Sequence, residues 1–102
     1  MILIGSSAIK HHFPDFPREP KDKDYAVEFE RKSHTKEIEY LYNPVICDYC
    51  AYLPDFNGIL PSNALYTLKC SHIFWDINFE KNLFDILFLQ DKGFNLIDSL
   101  YY

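Results

Sequence analysis

Short apolar runs and alternating stretches occupy the first half of the chain and predict β-strands. Residues 1–4 form an apolar run that stops at Gly5, as a buried strand does before a tight turn. Residues 22–29 and 36–42 alternate polar and apolar positions, which is typical of half-buried strands. Because only a short polar stretch separates the last two, we predict that they pair antiparallel, with the first strand alongside.

Periodic segments follow and predict helices. The clearest is Phe79–Lys92, where one face at the 3.6-residue period comprises Phe79, Leu83, Ile86, Leu87 and Gln90, and Gly93 stands where a glycine ends a helix. The other predicted helices are Ala8–His12 with Ser6 or Ser7 as its cap, part of Val45–Leu53, and a segment that Pro61, Ser62 and Asn63 begin with a capping side chain. The predicted fold is α+β: a small, largely antiparallel sheet of about three strands packed with helices, in a single domain over residues 1–102.

Composition and charge restrict the classes of function. The chain has 102 residues, with 15 acidic against 10 basic side chains and a formal net charge of -5. Since it contains no block of Lys or Arg, direct binding to a nucleic-acid backbone is not expected. No apolar stretch reaches the roughly 18 to 20 residues that span a bilayer, and residues 1–4 are too short for the apolar region of a signal peptide. We therefore expect a cytoplasmic protein that does not enter a membrane.

The three cysteines and a histidine are candidate ligands for a metal ion, but their spacing does not favour such a site. Cys47 and Cys50, together with Cys70 and His72, would supply the four ligands of a tetrahedral zinc ion. The second pair lies inside a predicted helix, where residues two apart diverge by about 200°. We therefore expect buried thiols that act as small apolar groups, and we do not expect zinc.

A glycine and a serine after the first predicted strand, and two aspartates at the start of the second, are the leading chemical signal. Gly5 and Ser6 form a turn whose backbone N–H groups can bind a phosphate at the positive end of the following helix. Asp22 and Asp24 are two residues apart, so on a strand both carboxylates lie on one face, with Cα atoms about 6.5 Å apart. Such a pair can hold Mg²⁺ for phosphoryl or nucleotidyl transfer.

Sites of this kind often use a third carboxylate, for which the next predicted strand offers two candidates. Glu37 and Glu39 are again two residues apart, and we assign the catalytic position to Glu39. Without the glycine and serine, two aspartates at the start of a strand are also typical of a solvated turn.

These residues resemble a known family. The Gly-Ser turn followed by Asp-x-Asp is similar to the motif of the nucleotidyltransferase fold of DNA polymerase β type. Residues 2–25 resemble a group of phage-borne, mostly uncharacterised nucleotidyltransferase-like proteins, and residues 65–93 resemble the helical tail of that group and of abortive-infection nucleotidyltransferases. Residues 43–60 match least, and the chain is shorter than these relatives.

The resemblance implies a minimal nucleotidyltransferase core that binds Mg²⁺ and an NTP. It assigns the metal and catalysis to Asp22 and Asp24, and nucleotide binding to Gly5, Ser6, Lys69 and Lys81. The chain departs from the family pattern at Ser7, where an Arg is common, and at Asn82, where a carboxylate often follows the second basic residue. Lys69 and Lys81 are equally typical of lysines on the surface of a helix, with apolar stems against the core.

Two functions therefore remain open. The first is Mg²⁺-dependent transfer of a nucleotide from an NTP to an unknown acceptor. The second is a catalytically inactive, small acidic phage protein that binds and inhibits a host defence protein, of anti-CRISPR or other anti-defence type, and whose acidic surface imitates nucleic acid. Either protein would act in the cytoplasm of the host cell.

Aromatic residues are frequent, at 18% of the chain. We expect most of the set near the predicted helices to be core; it comprises Phe74, Trp75, Phe79, Phe84 and Phe88. Whatever remains exposed, together with Leu100 and the last two tyrosines, would form a partner-binding patch. Asp85, in the last predicted helix, is a candidate to anchor that helix or to pair with a nearby lysine.

Overall fold

Three short strands form one sheet in the order β1 (Ile2–Ile4), β2 (Lys23–Val27) and β3 (Ile38–Tyr42). The structure is a computed structural model and describes residues 1–29, 38–73 and 79–100. With a sheet and four α-helices among the described residues, the fold is α+β, as predicted. β1 runs antiparallel to β2, whereas β2 and β3 run parallel, so the sheet is mixed.

The predicted antiparallel pairing of the second and third strands is wrong. Tyr25 is the Cα partner of Tyr40 in a parallel ladder, and the centroids of their two rings lie 6.4 Å apart. Alternation of polar and apolar residues specifies the faces of a strand but not its direction. β2 is shorter than the predicted 22–29, and residues 36 and 37 of the predicted third strand lie outside the described residues.

The contacts divide the chain into two compact units, Met1–Leu60 and Pro61–Tyr102. The prediction of a single domain stays a prediction. None of the described helices is long and apolar enough to cross a membrane.

Two helices belong to the first unit. α1 (Gly5–His12) begins directly after β1, and no side chain among the described residues caps it, so the predicted cap by Ser6 or Ser7 is wrong. Both serines lie inside the first turn instead. α2 (Pro44–Ala51) is capped by Asn43, whose Oδ1 accepts a hydrogen bond of 3.1 Å from the backbone N–H of Ile46.

One face of the sheet carries buried apolar residues from β1 and β2. Ile2 and Ile4 of β1 pair with Ala26 and Asp24 of β2, and the three apolar members are buried. α1 contacts β1 and β2, and α2 contacts β2. Asp24 therefore lies on the core face, at the end of the sheet where β1 leads into α1.

The second unit is helical. α3 (Ser62–His72) packs against α4 (Phe79–Asp91) and against a 3₁₀ turn at Asp98–Leu100. The N-cap of α3 is Pro61, and no side chain among the described residues caps the helix, so the predicted capping side chain is wrong. Gly93 has a φ of +90° after α4, which confirms the predicted end of that helix.

The buried face of α4 differs from the predicted one. Leu83 and Leu87 are exposed, whereas Asn82 and Asp85 are buried beside Ile86 and Leu89. The prediction of an aromatic core is wrong for Phe79 and Phe84, which are 41% and 44% exposed. Phe74 and Trp75 lie outside the described residues. Polar side chains occupy the inner face of α4 because they meet a buried lysine there, which the hydropathy pattern does not reveal.

Candidate functional site

A close approach between Gly5 and the carboxylate of Asp24 defines the candidate site. Ile4 is the Cα partner of Asp24, so the residue after Ile4 passes directly beside that side chain. Gly5 has a φ of +71°, in the left-handed region that favours glycine. A Cβ atom built on Gly5 would lie 2.8 Å from Oδ2 of Asp24. The carboxylate thus occupies the space that any other residue at position 5 would fill.

Hydrogen bonds attach the two serines to the segment that leads into β2. The Ser7 hydroxyl donates to the backbone carbonyl of Asp22 at 2.7 Å. Nη2 of Arg18 donates to the Ser6 hydroxyl oxygen. The first contact holds the start of α1 against the residue before β2, and the second holds it against the loop between α1 and β2.

The parallel pairing of β2 and β3 adds a second carboxylate. Glu39 is the Cα partner of Asp24, and partners on neighbouring strands share a face of the sheet. Glu39 is exposed, and so is Asp22, which lies one residue before β2. The structure therefore brings Gly5, Ser6 and these three acidic residues to one corner of the sheet. Glu37 lies outside the described residues.

Arg18 is a residue of this corner that the sequence reasoning missed. Its guanidinium carbon lies 5.6 Å from the ring centroid of Phe16, which is fully buried. Nζ of Lys10 donates to the Phe16 carbonyl at 2.7 Å and pairs with Glu19 at 3.0 Å, so the loop after α1 is anchored. The signal in the sequence was a basic residue flanked by prolines, between the Gly-Ser turn and Asp-x-Asp.

The donor set of this corner suits a hard cation. Mg²⁺ binds oxygen ligands and usually takes one or two carboxylates, with water and substrate phosphates completing its octahedron. Asp22, Asp24 and Glu39 offer carboxylate oxygens of that kind. Within residues 1–29, 38–73 and 79–100, no group of three or more His, Cys, Asp or Glu side chains is placed to hold a metal ion. A Mg²⁺ ion at this corner would therefore need oxygen ligands from water or a bound substrate to complete its coordination.

A family model matches residues 1–92. The chain belongs to the family described as a domain of unknown function (DUF7277). No curated protein and no solved structure matches the chain significantly. Since the match runs from β1 to the end of α4, it includes every residue of the candidate site and both lysines of the predicted nucleotide contacts.

Those two lysines lie in the second unit. Nζ of Lys69 on α3 lies 2.9 Å from Oδ2 of Asp85 and 2.9 Å from Oδ1 of Asn82, both on α4. The Asp85 side chain is fully buried and that of Lys69 is 14% exposed, so this ion pair is largely buried. Asp85 therefore pairs with a lysine, one of the two roles expected for it. Lys81 is exposed on α4, and the phosphate contacts of both lysines stay predictions.

The cysteine thiols are held in their protonated form. Cys47 and Cys50 are buried on α2, and burial, with Cys47 nearby, raises the pKa of the Cys50 thiol to about 11. Burial and, next, the negative charge of Glu28 raise the pKa of Cys47. Burial also raises the pKa of Cys70 on α3. A thiol becomes a nucleophile or a metal ligand as the thiolate, so these shifts suit apolar packing rather than reactivity.

The outer face of α4 is apolar. Leu83, Phe84 and Leu87 are 38%, 44% and 54% exposed, on the side of the helix away from Asn82 and Asp85. A shallow groove on the same helix is lined by Phe84, Leu87 and Phe88, with Gln90 and Asp91 at one end. Apolar residues exposed together on a small protein often mark an interaction surface.

Proposed function

We propose that the corner of the sheet around Gly5 and Asp24 binds an NTP with Mg²⁺ and transfers its nucleotide to an acceptor hydroxyl. The observation that carries this proposal is the contact between the left-handed Gly5 and the Asp24 carboxylate. It joins a turn suited to phosphate with a side chain suited to a metal ion. The resemblance to nucleotidyltransferases of DNA polymerase β type supports the same assignment.

The phosphate side of the proposed site is the start of α1. The first N–H groups of a helix lack partners within the helix, and the helix dipole adds about half a positive charge there. Gly5 lets the backbone approach closely, because it carries no side chain. A phosphate group at Gly5 and Ser6 would accept hydrogen bonds from these groups.

The carboxylate side supplies the metal ligands and a base. In the proposal Asp22 and Asp24 hold Mg²⁺, which when bound neutralises negative charge on the phosphates. Glu39 accepts the proton of the acceptor hydroxyl. The acceptor oxygen forms a bond to the α-phosphorus while the bond to the bridging oxygen breaks and pyrophosphate leaves. The predicted phosphate contacts of Lys69 and Lys81 are not required for this assignment.

The test is NTP binding followed by calorimetry, with and without Mg²⁺, and pyrophosphate release in a cell extract that supplies acceptors. We expect Mg²⁺-dependent binding in the wild type and its loss in Asp24→Asn. Asp55→Asn is the matched control, because Asp55 is an exposed carboxylate of the same unit outside the corner. Equal binding by the wild type and Asp24→Asn, or no binding by either, would remove the proposal.

The apolar outer face of α4 favours a second candidate. In it, the chain is an inactive acidic phage protein that binds a host defence protein through this face and inhibits it. The formal charge of -5 would complement a basic partner. Leu87→Asp would then abolish inhibition of host defence while Asp24→Asn leaves it intact. The opposite pattern would exclude this candidate.

A further inference from the structure

Carboxylates dominate the charge at the Gly5 corner. Asp22, Asp24 and Glu39 are all acidic, whereas the start of α1 contributes only about half a positive charge. An NTP is itself an anion, so its binding here needs positive charge on the protein as well as Mg²⁺. A cationic side chain that the structure places on the turn is Arg18, through its hydrogen bond to Ser6.

The position of Arg18 is fixed by packing as well as by that hydrogen bond. Phe16 is fully buried and lies under the guanidinium, and Lys10 binds the Phe16 carbonyl at 2.7 Å. The backbone N–H of Phe16 also donates to the carbonyl of Phe13 at 2.9 Å. A side chain held in this way loses little conformational freedom when a ligand binds, so more of its interaction energy appears as affinity.

The chemistry of the guanidinium group matches a phosphate. It carries five N–H donors in a planar fork that fits two oxygens of a phosphate group. The Ser6 hydroxyl accepts from Nη2 and so holds the fork beside the backbone N–H groups of the turn. We propose that Arg18 binds the phosphate chain of the NTP and that Ser6 positions its guanidinium. This inference rests on the proposed function, for which it supplies the basic residue that the Gly-Ser turn itself lacks.

Replacing Arg18 should remove only the part of NTP affinity that comes from the phosphate groups. A hydrogen bond to a charged group contributes about 1.5–3 kcal/mol, so Arg18→Gln should weaken NTP binding roughly 10- to 100-fold. Affinity for the uncharged nucleoside, measured by competition against a fluorescent NTP, should not change. Arg18→Lys keeps the charge without the fork and should lie between the wild type and Arg18→Gln.

The matched control is Lys21→Gln, which removes one positive charge from an exposed position in the same loop. Ser6→Ala provides a second variant, because this substitution keeps the Arg18 guanidinium and removes only the hydroxyl that positions the guanidinium. We expect Ser6→Ala to weaken NTP binding several-fold, and it decides the question if Arg18→Gln does not fold.

The experiment is a calorimetric titration of each variant with NTP and Mg²⁺, beside circular dichroism to check folding. Selective loss of NTP affinity in Arg18→Gln, with Lys21→Gln unchanged, supports the inference. Equal losses in Arg18→Gln and Lys21→Gln, or equal losses for NTP and nucleoside, overturn it. If Asp24→Asn abolishes NTP binding while Arg18→Gln and Ser6→Ala bind normally, the inference fails and the proposed function stands. A wild type that binds no NTP removes both.

Discussion

Replacing Gly5 by alanine tests the geometry on which the candidate site depends. The substitution places a side chain at a φ of +71°, which costs an L-residue about 1–2 kcal/mol. It also places a Cβ atom 2.8 Å from Oδ2 of Asp24, so the carboxylate must turn away. Rotating a side chain off its preferred angle costs about 0.5–1.5 kcal/mol. The expected loss in the free energy of unfolding is therefore about 1.5–3.5 kcal/mol.

Two other glycines separate the backbone cost from the cost of the contact. Gly58 and Gly93 have φ values of +88° and +90°, and in the described part of the chain a Cβ on either would meet no atom within 4 Å. Gly58→Ala and Gly93→Ala should each cost only the backbone share, about 1–2 kcal/mol. The excess in Gly5→Ala measures the contact with Asp24.

The assay is urea unfolding followed by circular dichroism, arranged as a double-mutant cycle. In the Asp24→Ala background, Gly5→Ala should cost about 0.5–1.5 kcal/mol less than in the wild type, because the opposing carboxylate is gone. For a domain of this size about 1 kcal/mol corresponds to a shift of roughly 4–8 °C in Tm. A coupling of zero, with Gly5→Ala no worse than Gly93→Ala, would refute the contact.

Three further predictions concern stability. Asp85→Ala leaves the ammonium of Lys69 without its carboxylate and should cost about 3–5 kcal/mol in urea unfolding, against less than about 0.5 kcal/mol for the exposed Asp91→Ala on the same helix. The folded state raises the pKa of the Cys50 thiol from 9.0 to about 11, so the contribution of the protonated thiol to stability is complete below pH 9 and is lost as pH rises toward 11. Cys50→Val should therefore reduce the fall in the free energy of unfolding between pH 8.5 and 10.5. An unchanged fall in this variant would contradict the prediction. Asn43→Ala removes the cap of α2 and should cost about 1 kcal/mol in urea unfolding, whereas Asn43→Asp, which keeps the acceptor, should be close to the wild type in the same assay.

The sequence predicted the strands better than their directions. The apolar run before Gly5 and the alternation in β2 and β3 identify three strands, because burial on one face leaves a period of two in the sequence. Direction depends on the path of the chain between strands, which periodicity does not record. The parallel pairing nevertheless matters for the site, since it is the alignment of β2 with β3 that makes Glu39 the partner of Asp24.

The helices were likewise predicted only in part. The extent of α4 follows from its composition and from Gly93, but its buried face does not. Polar side chains can be buried here because Lys69 binds both Asn82 and Asp85. These partners are 13 and 16 positions away from Lys69 in the sequence. Hydropathy treats each of them as a surface residue. Arg18 was missed for a related reason, because its place beside Ser6 depends on the anchoring of Phe16.

The pairing of Asp24 with Glu39 supports a binding role for this corner. Like charges at directly opposed positions of a sheet destabilise it, so the opposition of these two carboxylates does not itself stabilise the sheet. The left-handed Gly5 likewise contributes no packing of its own, yet it leaves the space that the Asp24 carboxylate occupies. Opposed carboxylates and a turn in the left-handed region are costly for folding alone. A cation and an anionic ligand bound together would offset these costs, which is why we propose that the corner binds an NTP with Mg²⁺ rather than either one separately.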